Sequence, residues 1–372
     1  MHKAHRHLLL CSLNDAEVDF SGDLAERQPF GRPNSRVVRS DWVRDQLHLD
    51  SKKMNIEHFR TIKNLIDDAQ QNGRSFRSDI LGGFSGDALI GALQRMSKYQ
   101  EERNGGSYLE IGVFQGLTLL SVAAVLKKTS AMGIDNFAYL DPGNKNFNII
   151  EERARALSLK NYRLFNADYE DALENLRSQI GDEKIGTYFV DGPHDYRSQL
   201  VCLQLAKPFL ADYSIIVVDD SNYRHVRLAN RDFLLANPEF KLLYESYTPC
   251  HPVNMSATIE SAARKGWWNG VNIIVHDPAG LLERMLPDTL RDRHLFENEH
   301  VTQCLKYGFV APELLFCVQS ALSLRPIRAA RQFAKLLKKL WNANPDLVGY
   351  YQSTNTFSDK LPKVHFNRSV GQ

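Results

Sequence analysis

Two short motifs hold residues able to ionise a weak acid: Asp191-Gly192-Pro193-His194-Asp195-Tyr196, and Asp219 followed at once by Asp220. Each comes directly after a short apolar run, at 187–190 and 214–218. Three carboxylates from two neighbouring strand ends can hold a hard divalent cation, and an all-oxygen set suits magnesium before manganese or calcium, rather than zinc. Such a cation lowers the pKa of a hydroxyl beside it and orients it. A histidine a few ångströms away can then take the proton, a contribution of roughly 10²- to 10⁴-fold. Blander roles stay open at each position. Asp is a preferred helix N-cap, which would suffice for Asp191. The Asp219-Asp220 pair could be a solvated turn, although adjacent carboxylates after an apolar run repel one another without a cation. His194 could simply touch a substrate, leaving the base role to His225 or Asp195.

A second constellation can hold a cofactor. Residues 107–116 read SYLEIGVFQG: a short apolar strand with a carboxylate at Glu110, then Gly112 and Gly116 leading into the helical pattern LTLLSVAAVLKK. Strand, glycine turn and helix start together make a nucleotide cradle. The spacing is E-x-G-x-x-x-G, so Phe114 stands where a dinucleotide fingerprint needs the glycine that lets backbone approach a pyrophosphate. S-adenosylmethionine fits better, because it has no phosphate and ends in an amino acid group that a carboxylate beside a glycine turn can receive. The next apolar run, 131–134, ends in Asp135 with Asn136 after it, at the distance where an acid meets a ribose hydroxyl pair. Asp135 is the expected ribose ligand.

The elements that must position these residues repeat one pattern. Short apolar strands at 131–134, 162–165, 187–190 and 214–218 end in Asp135, Asp168, Asp191 and Asp219, and helical patterns at 151–159 and 196–210 lie between them. Alternation of this kind predicts an α/β fold with a doubly wound, mostly parallel sheet. Ligands in such sheets bind outside the carboxyl ends of the strands, where these acids lie. A sixth strand is expected in FKLLYESY and a seventh in GVNIIVHD. The long insert between them, including PCHPVNMSATIESAARKGWWN, leaves a strand's carboxyl end and should overhang the site and help choose the acceptor.

With these residues in order, the chain resembles class I S-adenosylmethionine-dependent methyltransferases, in the subgroup whose fourth strand runs into D-G-x-H-x-Y. The motifs are YLEIGVFQG, GID, FVDGPHDY and VVDD, over roughly residues 80 to 280, and the nearest likeness is to metal-dependent O-methyltransferases of sugar hydroxyls. The resemblance implies a seven-stranded Rossmann-like sheet and methyl transfer from S-adenosylmethionine to a hydroxyl of a sugar-containing or polyhydroxylated small molecule. It also implies a divalent cation, expected to be magnesium, on Asp191, Asp219 and Asp220, with His194 as base. Cofactor contacts are expected from Glu110, Gly112, Gly116, Asp135, Asn136 and Asp168. Pro193 departs from the pattern, where a polar or acidic residue is usual. Two other functions fit the same fold: a binding or assembly protein without turnover, and an oxidative tailoring enzyme related to this subgroup.

Length and charge frame these expectations. The 372 residues exceed one such core, so additions are expected at both ends: an N-terminal arm and covering helix at 1–78, the catalytic domain at 79–280 and a mostly helical extension at 281–372. A formal net charge of +2 gives no reason to expect nucleic acid as a partner. Five cysteines without a C-x-x-C pair imply neither zinc nor a disulfide framework, which is consistent with a cytoplasmic protein. No apolar run approaches the ~20 residues that span a bilayer. Within the extension, RPIRAARQFAKLLKKLW (325–341) has six basic residues and no acid. Such a helix can lie on an anionic membrane or bind an acidic partner, but packing on its own domain is favoured. Trp267 and Trp268 are expected to fill core rather than stack on a sugar, Ser85 and Gly86 are further candidates for the cofactor's amino acid end, and a homo-oligomer is expected.

Overall fold

The computed structural model describes residues 56–141, 143–289, 311–341 and 364–370. The arm read at 1–50 lies outside them. A first helix, α1 (56–72), follows the pattern seen in sequence. Its Phe59, Ile62, Ile66 and Ala69 are fully buried and recur at three- and four-residue steps, the stripe of an amphipathic helix. That stripe shares one core with Ile215, Val217, Ile273 and Val275 of the sheet. The helix expected to cover the cofactor cleft therefore packs its apolar side into the sheet's core.

The chain continues through α2 (Asp87–Glu102), β1 (Ser107–Ile111), α3 (Leu117–Ala123), β2 (Ala131–Asp135), α4 (Asn146–Ala156), β3 (Tyr162–Asn166), α5 (Tyr169–Glu174), α6 (Leu176–Ile180) and β4 (Ile185–Val190). It then forms α7 (Tyr196–Ala206), β5 (Leu210–Val218), α8 (Arg224–Ala236), β6 (Phe240–Ser246), α9 (Ala257–Lys265) and β7 (Val271–His276). Strands β1 to β5 are parallel, and β7 runs antiparallel between β5 and β6. The sheet order is β3-β2-β1-β4-β5-β7-β6-β8, where β8 is Val364–Phe366. This is the doubly wound, Rossmann-like order expected from the sequence. Strands β1 and β4 are buried at every position, as befits strands covered by helices on both faces.

Two expectations need correcting. The sheet has eight strands and not seven, because β8 pairs antiparallel with β6. It covers an edge that would otherwise show unpaired backbone. Phe366 packs its ring 4.7 Å from that of Tyr244, and the Asn367 side chain donates to the carbonyls of Leu242 (3.1 Å) and Glu283 (2.8 Å). Second, the stretch after Pro278 is not helical over 278–289. It is tied down instead: Asp277 accepts the Leu282 N–H at 2.8 Å, Leu282 is buried, and the Glu283 N–H donates to Ser369 Oγ at 2.9 Å. Two helices do follow, α10 (Ala311–Leu322) and α11 (Pro326–Trp341). Among the described residues, no helix is long and apolar enough to cross a membrane.

The order of the strands fixes where chemistry can occur. The chain moves outward from β1 through β2 to β3, then crosses back to β4 on the other side. The crevice outside the carboxyl ends of β1 and β4 is therefore the switch point at which ligands bind in open α/β sheets.

Candidate active site

On the β1/β2 side, the glycine loop is shaped by close contact with its neighbours. Gly112 has φ +87°, and a Cβ there would lie 1.9 Å from the Asp191 carbonyl oxygen, so only glycine fits where β1 leaves the sheet beside β4. Gly116, at φ +79°, caps α3. Phe114 between them holds φ 51°, an uncommon conformation for a residue with a side chain. Strand-end turns elsewhere on this edge repeat it at Phe137 (φ 52°) and Asp220 (φ 52°). Such strain gathers at functional sites.

Asp135 stabilises this loop. Its Oδ2 accepts the N–H groups of Val113 (2.8 Å) and Phe114 (2.9 Å), and its Oδ1 accepts that of Phe137 (2.7 Å). Glu110 is buried and does not reach the cleft surface. Tyr108 donates to it at 2.5 Å and Thr118 at 3.2 Å. Burial pushes its carboxyl up to about 8 against those two hydrogen bonds, with the Asp135 charge adding to the rise. Asn136 and Asp168 are both exposed. Asn136 accepts the Ala138 N–H at 3.0 Å, and Asp168 caps α5 through the Glu170 N–H at 2.9 Å. Arg153 donates to the carbonyls of Gln115 (2.6 Å) and Gly82 (3.1 Å), joining the glycine loop to the segment before α2.

The β4/β5 side is different in kind. Ligand atoms of Asp191, His194 and Asp220 lie within 4.8 Å of one another. His194 Nε2 is 2.5 Å from Asp220 Oδ2, an ion pair, and Asn269 donates to the other oxygen of Asp220 at 2.5 Å. Asp219 is buried and turns to its own backbone, with Oδ1 accepting the Asp220 N–H at 2.8 Å. It is not one of the three clustered groups. Burial, then the charges of Asp219 and Asp220, hold the Asp191 carboxyl well above the usual range, and burial with Asp220 does the same to Asp219. Asp220 goes the other way: burial opposes ionisation, but the His194 charge and the hydrogen bonds of His194 and Asn269 keep it low. His194 is held above its ordinary value; burial works against this and Asp220 prevails. The substitutes have other positions. Asp195 caps α7 through the Ser198 N–H at 3.0 Å, and His225 is buried on α8. Tyr196 of the same motif donates to Asp232 at 2.6 Å.

The sequence reading missed four residues here, Asn269 among them. Tyr223 stacks on His194, with ring centroids 5.2 Å apart and planes 13° apart, and His251 lies 5.7 Å beyond Tyr223. His251 is pushed down to about 4, by burial first; Asp220 opposes this and His194 adds to it. Asn222 positions His251's loop, exchanging hydrogen bonds with Thr248 at 2.7 Å and 3.1 Å. Both His251 and Asn269 come from the long insert. Their only sequence signal was that an insert leaving a strand's carboxyl end must return over the site. Trp267 and Trp268 are buried, the first 5.1 Å from the Tyr244 ring. Beside the site, Arg74, Gly83, Ser85, Leu117, Glu260 and Arg264 help line a polar cavity of about 480 Å³, and the buried Ser85 hydroxyl has no hydrogen-bond partner there.

Residues 109–221, from β1 to the turn after β5, match the family model described as a methyltransferase domain. No curated protein matches the sequence. Among solved structures, the chain is similar to an O-methyltransferase from Bacillus cereus in complex with SAH, at 13% identity over 59% of this chain and 90% of that one, with a TM-score of 0.39. It is also similar to the O-methyltransferase TomG from Streptomyces achromogenes, involved in tomaymycin synthesis and solved with SAM, at 12% identity over 57% and 96% of the two chains, with a TM-score of 0.40.

Proposed function

We propose that this protein is an S-adenosylmethionine-dependent O-methyltransferase acting on a hydroxyl of a sugar-containing or polyhydroxylated small molecule. The observation that carries this reading is the His194–Asp220 pair on the same strand edge as the Gly112–Gly116 loop. A hydroxyl of this class is a very weak acid and needs help to attack. With Asp220 on Nε2, His194 can accept a proton at Nδ1, while Tyr223 and Asn269 hold the pair in place. The acceptor oxygen gives its proton to His194 as it bonds to the methyl carbon, and the electron pair of the breaking carbon–sulfur bond stays on sulfur. The products are a methyl ether and S-adenosylhomocysteine. Alignment of donor and acceptor supplies much of the rate, since effective molarities for oriented groups reach ~10⁵ M or more.

A divalent cation fits the remaining charge. Asp191 and Asp220 cluster with the His194 imidazole and Asp219 lies behind them, and burial first, then the neighbouring carboxylates, keep Asp191 and Asp219 from ionising. Asp191 and Asp220 would hold the ion, with Asp219 behind them, and magnesium suits the oxygen donors. When bound, it would lower the pKa of the acceptor hydroxyl. The His194–Asp220 ion pair favours a second reading, in which the two residues work as a metal-free dyad.

Calorimetry of S-adenosylmethionine binding, with and without magnesium, tests both. Cofactor binding without magnesium, followed by magnesium-dependent turnover, supports the first reading. Full turnover in excess chelator moves the enzyme to the dyad, and no cofactor binding in either condition overturns the proposal.

A further inference from the structure

Helices α10 and α11 form a hairpin that contributes no residue to the site described above. Of the fifteen large apolar side chains that stand exposed among the described residues, ten lie on these two helices and the turn between them. On α10 they include Leu315 (68% exposed) and Phe316; on α11 they include Ile327, Phe333, Leu337 and Trp341 (89% exposed). The helices pack on each other, with the Cys317 thiol 3.9 Å from the Ala329 carbonyl and with Leu336 and Ser320 both buried. Beside this apolar surface runs a basic one. Within residues 311–341, Arg325, Arg328, Arg331, Lys335, Lys338 and Lys339 are accompanied by one acid, Glu313, which is paired with Lys339 at 3.0 Å. At about 100° per residue, α11 divides into an apolar half and a basic half.

We propose that this hairpin is a docking surface for an anionic lipid membrane, lying in the plane of the interface. The chemistry selects this occupant over two others. A second copy of the chain would cover the apolar half but bring an equal cationic charge against the first. An acidic peptide would neutralise the basic half and leave the exposed leucines and aromatic rings wet. A lipid surface meets both demands, with acyl chains under Phe333, Leu337 and Trp341 and phosphates beside Arg328, Arg331 and Lys335. At 12 and 16 residues, neither helix reaches the ~20 needed to span a bilayer, so both must lie along it. The amphipathic segment favoured in sequence as packed on its own domain thus keeps an apolar side exposed.

Flotation of the full chain with phosphatidylcholine vesicles, with and without phosphatidylglycerol, tests the proposal. Binding should be at least about tenfold stronger to the anionic vesicles and weaken with salt. Combining Arg328→Gln, Arg331→Gln and Lys335→Gln should lower it about a hundredfold. Phe333→Glu with Leu337→Glu should abolish it while circular dichroism and the melting temperature stay those of the parent, because both side chains are already exposed. Brominated lipid should quench the emission of Trp341, and Trp341→Phe should lose that quenching. Three results would overturn the proposal: no flotation with either vesicle, equal flotation with both, or a dimer by light scattering that the Phe333→Glu, Leu337→Glu variant splits while vesicles bind neither form.

Discussion

The two sides of the switch point carry the same residue type at the same place, an acid at a strand's carboxyl end, and use it in opposite ways. At β2, Asp135 is engaged by three backbone N–H groups within 2.9 Å, and Asp168 after β3 likewise accepts a backbone N–H. At β4 and β5, Asp191, Asp219 and Asp220 crowd one another, and burial and mutual repulsion hold two of them above the usual carboxylate range. Backbone amides are fixed partners, so the first arrangement builds a rigid loop. A cluster whose Asp220 is paired with the His194 imidazole and the Asn269 amide can exchange partners with a cation, a proton or a substrate. What distinguishes a reactive carboxylate from a structural one here is therefore which partners are already taken.

The largest effect should come from breaking the one ion pair on the reactive side. Asp220→Asn and His194→Ala should each lower kcat by roughly 10²- to 10⁴-fold, with S-adenosylmethionine binding within about threefold of the parent because the glycine loop is untouched. The double variant should be little worse than either single one, since residues acting as a unit are not additive. The parent's rate should also rise with pH through a limb displaced above about 6.5, the direction in which Asp220 shifts His194. His194→Ala should lose that limb. Stopped-flow or steady-state profiles showing the limb intact in the variant would move the base elsewhere, with His251 the nearest candidate.

On the structural side, Asp135→Ala should damage two properties at once. With Asp135 as the ribose ligand, its loss should weaken cofactor binding by roughly 10²- to 10⁴-fold, from two charge-assisted hydrogen bonds at roughly 1.5 to 3 kcal/mol each. Leaving the Val113, Phe114 and Phe137 amides without their acceptor should lower stability by about 1 to 3 kcal/mol. A chemical-denaturation curve matching the parent's would show that the loop does not depend on this carboxylate. Unchanged calorimetric affinity in a folded variant would remove Asp135 as ribose ligand.

Most of this edge was legible because its signals are local. Apolar runs ending in acids mark strand ends, and the Gly112 and Gly116 spacing marks a turn, whatever the rest of the chain does. The division of labour between the acids was not legible, because it depends on which backbone amides the folded turns bring near each one. His251 and Asn269 were missed for the same reason: an insert's return path is set by tertiary packing, here by Asn222 gripping Thr248. Strand β8 is three residues long and has no periodic signal at all. The sheet strands on which α1 packs were not legible either, because an amphipathic stripe tells that a face is buried but not against what.

A cation should affect the two sides unequally, which makes melting temperature a probe of the comparison. Asp191 and Asp219 have folded-state pKa values raised above their unfolded ones. The folded state then binds more protons than the unfolded state in that window, so these groups destabilise the protein progressively as pH rises above about 4. Magnesium that binds only the folded cluster should reverse the loss, raising the melting temperature more at about pH 8 than at about pH 5. The increment should vanish in Asp191→Asn. A magnesium effect of equal size at both pH values, or one that persists in that variant, would place the ion elsewhere.

The smallest effect on binding is expected at Glu110, and it separates position in sequence from position in space. The sequence pattern offers this carboxylate to the amino acid end of the cofactor, but the side chain is buried and held by Tyr108 and Thr118. With its pKa pushed up to about 8, it is largely a neutral acid at physiological pH. Glutamine is a near isostere of that neutral form and can keep one acceptor for Tyr108 and offer a donor to Thr118. Glu110→Gln should therefore change cofactor affinity by less than about threefold, below what loss of a charged contact would cost. The signature lies in the pH dependence of stability. Raised above its unfolded value, Glu110 favours the folded state at low pH and withdraws that support as pH rises from about 4.3 towards its folded pKa near 8. The glutamine variant has no such withdrawal. Denaturation midpoints should consequently be close near pH 4 and separate as pH rises, with the variant the more stable form by about pH 8 and the difference constant above it. A tenfold or larger loss of affinity, with parallel stability curves, would instead return Glu110 to direct contact with the cofactor.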